Sequence, residues 1–545
     1  MNKAEIRKIV DELSLDDLVG QVLSYLVPDK ITDEKLSDLE EKFKHMRPGG
    51  IFVNSLSSEN IKKVTMLANK YTKIPVIIQA DTENGPFPSV ADCPHRLPRA
   101  MAWGACDDAE LIERGGIATA QLCRKNGIHW SMAPVVDINL LKDDPSTCTR
   151  AISDNPDQVI KMGSAYMRGL QKDGLMAVSI KHFPGGGCSD VNAHFTTGVN
   201  LQTPEEWFST YGKVYSEIFK QGPASVMTAH TSVPSLQSEK EEFGVAGYLP
   251  ATVSYDLTEK LIRKDLGYDG CVISDALSMV GVAAIVPEER LPIDFLNAGG
   301  DMELFAEPQY FDIIKSAVER GEISMDRLKE AVERILTVKD FVGILDKDEP
   351  EIEITEDIEK ISKEIAEKSI KVVRNLDDIL PLDLKEGDHV LICNLVFNDR
   401  VSAYCPSFEP FENALKSRGI RVTVLQNPLH RDIEKVYKED YPACVFVNLR
   451  HSEEDSSGSS MRLTWDNAMT LWRGLIFKHP KVIITSFGDP YKLYELPYVR
   501  TYVNTFSPTK ESQEASVRVL LGEIKPQGKN PVNLEGFFKR EVFPD

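Results

Sequence analysis

The chain has 545 residues, 42% of them hydrophobic and 27% charged, with a formal net charge of -21 from 84 acidic and 63 basic side chains. At roughly 100–200 residues per domain, about two to four domains are expected, and the ordinary globular composition excludes a disordered chain, a collagen-like repeat and a coiled coil. The acidic balance argues against nucleic acid and anionic membrane as partners, because both repel such a chain.

The opening segment, MNKAEIRKIVDELSLDDLVGQ, is charged where a signal peptide carries an apolar core. No run of about 18 apolar residues follows, so the expectation is a cytoplasmic protein. The nine cysteines (Cys93, Cys106, Cys123, Cys148, Cys188, Cys271, Cys393, Cys405 and Cys444) are odd in number, irregular in spacing and without a CxxC pair. Neither a disulfide framework nor a structural zinc site is expected from them.

Across residues 1–345, short β-rich runs alternate with helical patterns. The runs are Gly50–Val53, Pro75–Ile78, Met132–Val136, Met176–Ile180, Ser225–Thr228, Cys271–Ser274 and Asp301–Phe305. Near-continuous apolar runs of this length suit parallel strands buried on both faces. Helices are predicted between them, for example from Asp157 to Lys172 and from Pro204 to Gln221. Five runs end on polar residues: Asp81, Asp137, Lys181-His182, His230 and Asp275. In a (β/α)8 barrel such ends converge on one mouth, whereas an open sheet spreads them along an edge. A TIM-like catalytic barrel is the reading, although any one of the five has the alternative of capping a helix.

Residues 346–385 read as a helical linker, with one charged helix from about Ile352 to Leu382. Residues 386–545 read as a smaller α/β/α sandwich domain. Its strands are expected at His389–Cys393, Arg421–Leu425, Ala443–Val447 and Lys481–Thr485, with a fifth between Tyr498 and Phe506. The Ser-rich segment 451–460, HSEEDSSGSS, reads as a mobile polar loop.

Three segments carry chemistry. The first is KHFPGGGCSDVNAH, Lys181 to His194, where a strand ends in two ionisable residues and a Gly-rich loop brings further polar groups. Three adjacent glycines imply either flexibility or a tight, unusual path. The second is GCVISDALSM, Gly270 to Met279, which puts Asp275 at the end of a buried strand. There either Ser274 or Asp275 has the alternative role of helix cap. The third is IQADTENG, Ile78 to Gly85, with Asp81 in the same position.

These motifs resemble glycoside hydrolase family 3, in the branch of two-domain bacterial β-N-acetylglucosaminidases. The resemblance spans nearly the whole chain. It includes Pro48–Ile51, Asp81–Gly85, Ala133–Asp137, KHFPG, Pro250–Ser254, Leu266–Gly270 and Ser274-Asp275 in the first part. In the second part it includes Leu380–Leu382, Gly488–Tyr491 and Gly528–Val532. It implies a retaining exo-β-glycosidase acting on a small saccharide, most readily one ending in β-N-acetylhexosamine. Asp275 matches the nucleophile. Lys181, His182, Arg150 and Asp81 match residues that hold hydroxyls of the bound sugar, and His194 falls in register with the branch's acid/base histidine. That chemistry calls for no cofactor and no metal, and a homodimer is compatible with it. Histidine suits the proton-donor role because its ordinary pKa, about 6.5, lies near working pH.

The chain departs from the branch pattern at three positions. Gly186 replaces a histidine, Pro86 stands where arginine is common, and Asn192 stands where an aspartate orients the acid/base histidine. Asn192 can accept from the imidazole but brings no charge, and Asp190 is the alternative partner. Three further readings stay open. One is a β-glucosidase or β-xylosidase using a carboxylate of the second domain, from Glu453, Glu454 or Asp455. The others are a glycoside phosphorylase and a sugar-binding homologue with a degraded site. Use of Lys181 as a Schiff base in an aldolase-type barrel has little support.

Overall fold

Eight parallel strands form one sheet: β1 (Leu23–Leu26), β2 (Gly50–Phe52), β3 (Ile77–Ala80), β4 (Trp130–Ser131), β5 (Ala177–Phe183), β6 (Ser225–Thr228), β7 (Cys271–Ser274) and β8 (Glu303–Leu304). Their order is β8-β1-β2-β3-β4-β5-β6-β7, and a parallel bridge between Ile273 and Met302 closes the ring. This computed structural model describes residues 1–238, 248–346, 351–396, 407–450, 464–476 and 478–534. The loop expected at 451–460, with Glu453, Glu454 and Asp455, lies outside the described residues, as does Cys405.

The apolar runs become strands because both of their faces are covered. Ile51, Ile78, Val178, Val226 and Val272 pack with helix residues such as Tyr166, Leu170 and Ile218. The alternate positions Phe52, Ile77, Trp130, Ala177, Met227 and Ile273 belong to a second cluster, as the two-residue period of a strand requires. The helix Pro156–Gln171 starts where the sequence marks it: Asn155 caps it by accepting from the N–H of Asp157 (2.9 Å), and Pro156 occupies the first turn.

Three sequence expectations need correction. The fourth strand is Trp130–Ser131, earlier than Met132–Val136. Pro134 has no N–H to offer a ladder, and the later part of the run pairs only through Val135 and Lys181. The helix expected from Pro204 to Gln221 is two helices, Pro204–Ser209 and Tyr211–Phe219. Thr210 breaks it at φ −111° and ψ −95°, with its hydroxyl donating to the Glu206 carbonyl at 2.8 Å. The connecting helix spans only Ile358–Ser369; the β-branched run after it is strand β9 (Lys371–Asn375).

Strand β9 joins a second sheet with β10 (His389–Val396), β11 (Arg421–Gln426), β12 (Cys444–Arg450), β13 (Val482–Ser486) and β14 (Thr501–Asn504). The order is β9-β14-β13-β12-β10-β11, with β9 antiparallel to β14 and the other pairings parallel. The segments that leave β13 and β14 meet the mouth of the barrel. Phe506 packs with Met101, Ala102 and Ala105 of the helix Ala100–Cys106. Ser507 accepts from the N–H of Arg99 (3.2 Å), and the thiol of Cys148 donates to Asp489 (3.6 Å). Asp154 accepts from the N–H of Asn533 (2.6 Å). Among the described residues, no helix is long and apolar enough to cross a membrane.

Candidate active site

The carboxyl ends of the barrel strands surround a cavity of about 400 Å³. Asp81, Glu83, Arg150, Lys181, His182, His194 and Asp275 line it, with Phe52, Phe87 and Phe305 on its walls. Seven polar side chains from four strand ends thus share one space, as the barrel reading requires.

Asp275 directly follows β7, its N–H bonded to the carbonyl of Thr228 (2.9 Å) and its Oδ1 accepting from the N–H of Ala276 (2.7 Å). Neither Ser274 nor Asp275 caps a helix, because the next one begins at Val280. Burial works to raise the Asp275 carboxyl, but His182, His230, the Ala276 N–H and His194 outweigh it and hold it below the usual range. Asp275 is therefore ionised at neutral pH without a cation paired to it among the described residues.

The opposite side is an ion network. The Lys181 ammonium lies 2.7 Å from Asp81 and 2.8 Å from Glu83. Arg150 grips Glu83 with Nε (3.0 Å) and Nη2 (2.7 Å), a forked pairing. Burial alone would raise the Glu83 carboxyl; Arg150 and Lys181 hold it well below the usual carboxylate range. Burial alone would lower Lys181; Asp81 and Glu83 keep it above its usual value. His182 lies 3.4 Å from Arg150 through Nε2, and its Nδ1 meets Asp137 at 2.7 Å. A carboxylate only accepts, so Nδ1 carries a proton, and Nε2 faces the Arg150 guanidinium.

His194 belongs to the loop after β5. Its Nδ1 lies 2.6 Å from Oδ1 of Asn192, which also accepts the His194 N–H at 3.0 Å. Asp190 is exposed and does not line the cavity, so the partner of the imidazole is Asn192. The glycines of this loop serve a tight path. Gly187 has φ +89°, and a Cβ there would lie 2.1 Å from the carbonyl of Ile138. At the far end, a Cβ on Gly281 would lie 2.2 Å from the carbonyl of Ala193.

Sequence reasoning brought Asp81, Arg150, Lys181, His182, His194 and Asp275 to one cavity and put Asn192 directly behind it. It missed Glu83, although the residue stands inside the quoted Asp81–Gly85 run. Asp137 and His230 were seen only as polar strand ends. Asp137 accepts from the N–H groups of His182 (3.2 Å) and Gly186 (2.6 Å) as well as from the imidazole. His230, fully buried, meets Thr252 at 2.8 Å and the carbonyl of Ala276 at 3.0 Å, and so braces the turn that holds Asp275. Among the described residues, no group of three or more His, Cys, Asp or Glu side chains is arranged to hold a metal ion.

Comparison with known proteins agrees with this arrangement. The glycosyl hydrolase family 3 N-terminal domain model matches residues 14–338, and the C-terminal domain model matches residues 311–537. A β-N-acetylglucosaminidase/β-glucosidase of Cellulomonas fimi is 27% identical, over 97% of this chain and 95% of its own length. The structure of a family 3 β-N-acetylglucosaminidase from Paenibacillus sp. str. FPU-7 superposes with a TM-score of 0.82 at 25% identity, covering 96% of this chain and 99% of that one. A β-glucoside phosphorylase, BglX, bound to 2FGlc has the same fold, with a TM-score of 0.86 at 24% identity over 97% and 96% of the two chains. With both domain models matched in order across barrel and sandwich, the chain belongs to glycosyl hydrolase family 3 and is a two-domain glycoside hydrolase.

Proposed function

We propose that the chain is a retaining exo-β-glycosidase that removes a terminal β-N-acetylhexosamine from a small saccharide. The observation that carries this reading is the pairing, in one cavity, of an ionised carboxylate on Asp275 with an imidazole on His194 whose Nε2 is free to exchange a proton. A retaining glycosidase needs those two functions. Asp275 attacks the anomeric carbon while the bond to the leaving oxygen breaks, and the proton on Nε2 of His194 goes to that oxygen. Water then attacks the same carbon, His194 takes its proton, and the Asp275 carboxylate is released.

Asp81, Glu83 and Lys181, with Arg150 and His182, supply acceptors and donors for the hydroxyls of the sugar. The choice of an N-acetyl sugar is supported by the names of the Cellulomonas and Paenibacillus relatives. Hydrolysis of matched 4-nitrophenyl β-glycosides tests it, with the N-acetylglucosaminide expected to exceed glucoside and xyloside. A preference for a plain sugar moves the search for the acid/base to the second domain. Trapping with a slow 2-fluoro sugar is expected to label Asp275; sugar binding with neither turnover nor label would mean a degraded site.

A second reading is favoured by one feature. Once His194 has given up its Nε2 proton, both the imidazole and its partner Asn192 are neutral, and they repel an incoming anionic acceptor less than a carboxylate does. Phosphate can then replace water at the anomeric carbon. Formation of a sugar 1-phosphate, with a rate that rises with phosphate, marks this outcome.

A further inference from the structure

Two loops bring the outlying residues of the site into place. One follows β4 and turns at Thr147–Arg150; the other follows β5 and leads to Asn192 and His194. Asp144, only 3% exposed, lies between them. Its Oδ1 accepts from the N–H of Ser146 (3.0 Å), the hydroxyl of Ser146 (3.2 Å) and the N–H of Thr147 (2.8 Å). Its Oδ2 accepts from the N–H groups of Gly187 (3.1 Å) and Ser189 (3.3 Å) on the other loop. Every partner is a donor, and they fall on both oxygens, so only a group that accepts at both ends satisfies them all.

The residues held on the first loop are those that hold Arg150. Its guanidinium donates to the carbonyl of Ser146 (3.0 Å), and its N–H donates to the carbonyl of Thr147 (2.7 Å). On the second loop, Gly187 and Ser189 fix the path along which the chain leaves β5 toward Asn192. A direct bond from the N–H of Leu141 to the carbonyl of Gly187 (2.8 Å) reinforces the seam. We propose that Asp144 is a positioning residue that fixes the Arg150 turn and the His194 loop against each other, and so sets sugar grip and proton donation together. The inference rests on the reading of His194 as proton donor.

The two loops have separable kinetic signatures. A displaced proton donor harms substrates with poor leaving groups and spares activated ones, whereas a displaced Arg150 raises KM for both. Asp144→Ala removes both ties. Measured per active site titrated with the 2-fluoro sugar, it is expected to lose about tenfold more kcat/KM on an alkyl or disaccharide substrate than on the 4-nitrophenyl glycoside of the same sugar, with KM raised on both. Asp144→Asn keeps the shape of the side chain and serves if the alanine variant does not fold. Whichever way its amide turns, one loop loses an acceptor, so one of the two signatures is expected. Unchanged kinetics per titrated site in a folded variant would overturn the proposal. His194→Ala is the control: if it shows no leaving-group dependence, the assignment of the proton donor fails, and not the role of Asp144.

Discussion

Nδ1 of His194 sits 2.6 Å from the side-chain oxygen of Asn192, a neutral partner for the imidazole. Burial holds His194 below its usual pKa of 6.5, helped by Arg150, His182 and His230 and opposed by Asp275. Proton donation therefore fades as pH rises through a value below 6.5. Asn192→Asp places a carboxylate behind the ring, favours imidazolium and raises its pKa. The basic limb of kcat/KM is expected to move to higher pH by about one unit, as read from a pH–rate profile on a poor leaving group. An unmoved limb would show that another group gives the proton.

Asp275 is a half-buried charge without an ion-pair partner among the described residues, kept for chemistry at a cost in stability. Asp275→Ala is expected to lower turnover on the order of 10⁴-fold while melting no lower than the parent. A variant that keeps substantial turnover removes Asp275 from the nucleophile role.

Glu83 balances two cations, at 2.7 Å from Arg150 and 2.8 Å from Lys181. Glu83→Ala leaves both side by side with Asp81 as the remaining counter-charge. A loss of about 3 kcal/mol in denaturant unfolding is expected, as for a broken buried pair, together with a raised KM. A variant with unchanged stability and KM would reduce Glu83 to a bystander.

Gly187 and Gly222 both have positive φ, +89° and +71°, but only Gly187 has backbone close to where a Cβ would stand. Gly187→Ala is expected to cost about 2 kcal/mol or more, and Gly222→Ala about 1 kcal/mol. Equal costs in urea unfolding would mean that close approach contributes nothing at Gly187.

The barrel was legible because its strands are buried on both faces and end on polar residues. Asp81, Lys181 and Asp275 could be placed from that pattern alone. Glu83 could not, because its role is conferred by Arg150 and Lys181, which are distant in sequence and meet it only after the ring closes. Local patterns also failed at Thr210 and at Lys371–Asn375. In the first, one residue's backbone breaks an otherwise helical run. In the second, pairing with β14 turns the end of a helical pattern into a strand. The choice of Asn192 over Asp190 depended on which way the loop turns, and spacing does not encode that.

Asp489 and Ser507 touch the barrel at Cys148 and Arg99, next to the cavity-lining Arg150, so the sandwich buttresses the segments that carry the site from outside the cavity. Gentle heating that loosens only this buttress is expected to lower turnover while Trp130, in strand β4 of the barrel, still reports a folded environment. If the sandwich is the first half to loosen, it sets the working lifetime of the enzyme, and stabilising it lengthens that lifetime even though every reacting group belongs to the barrel.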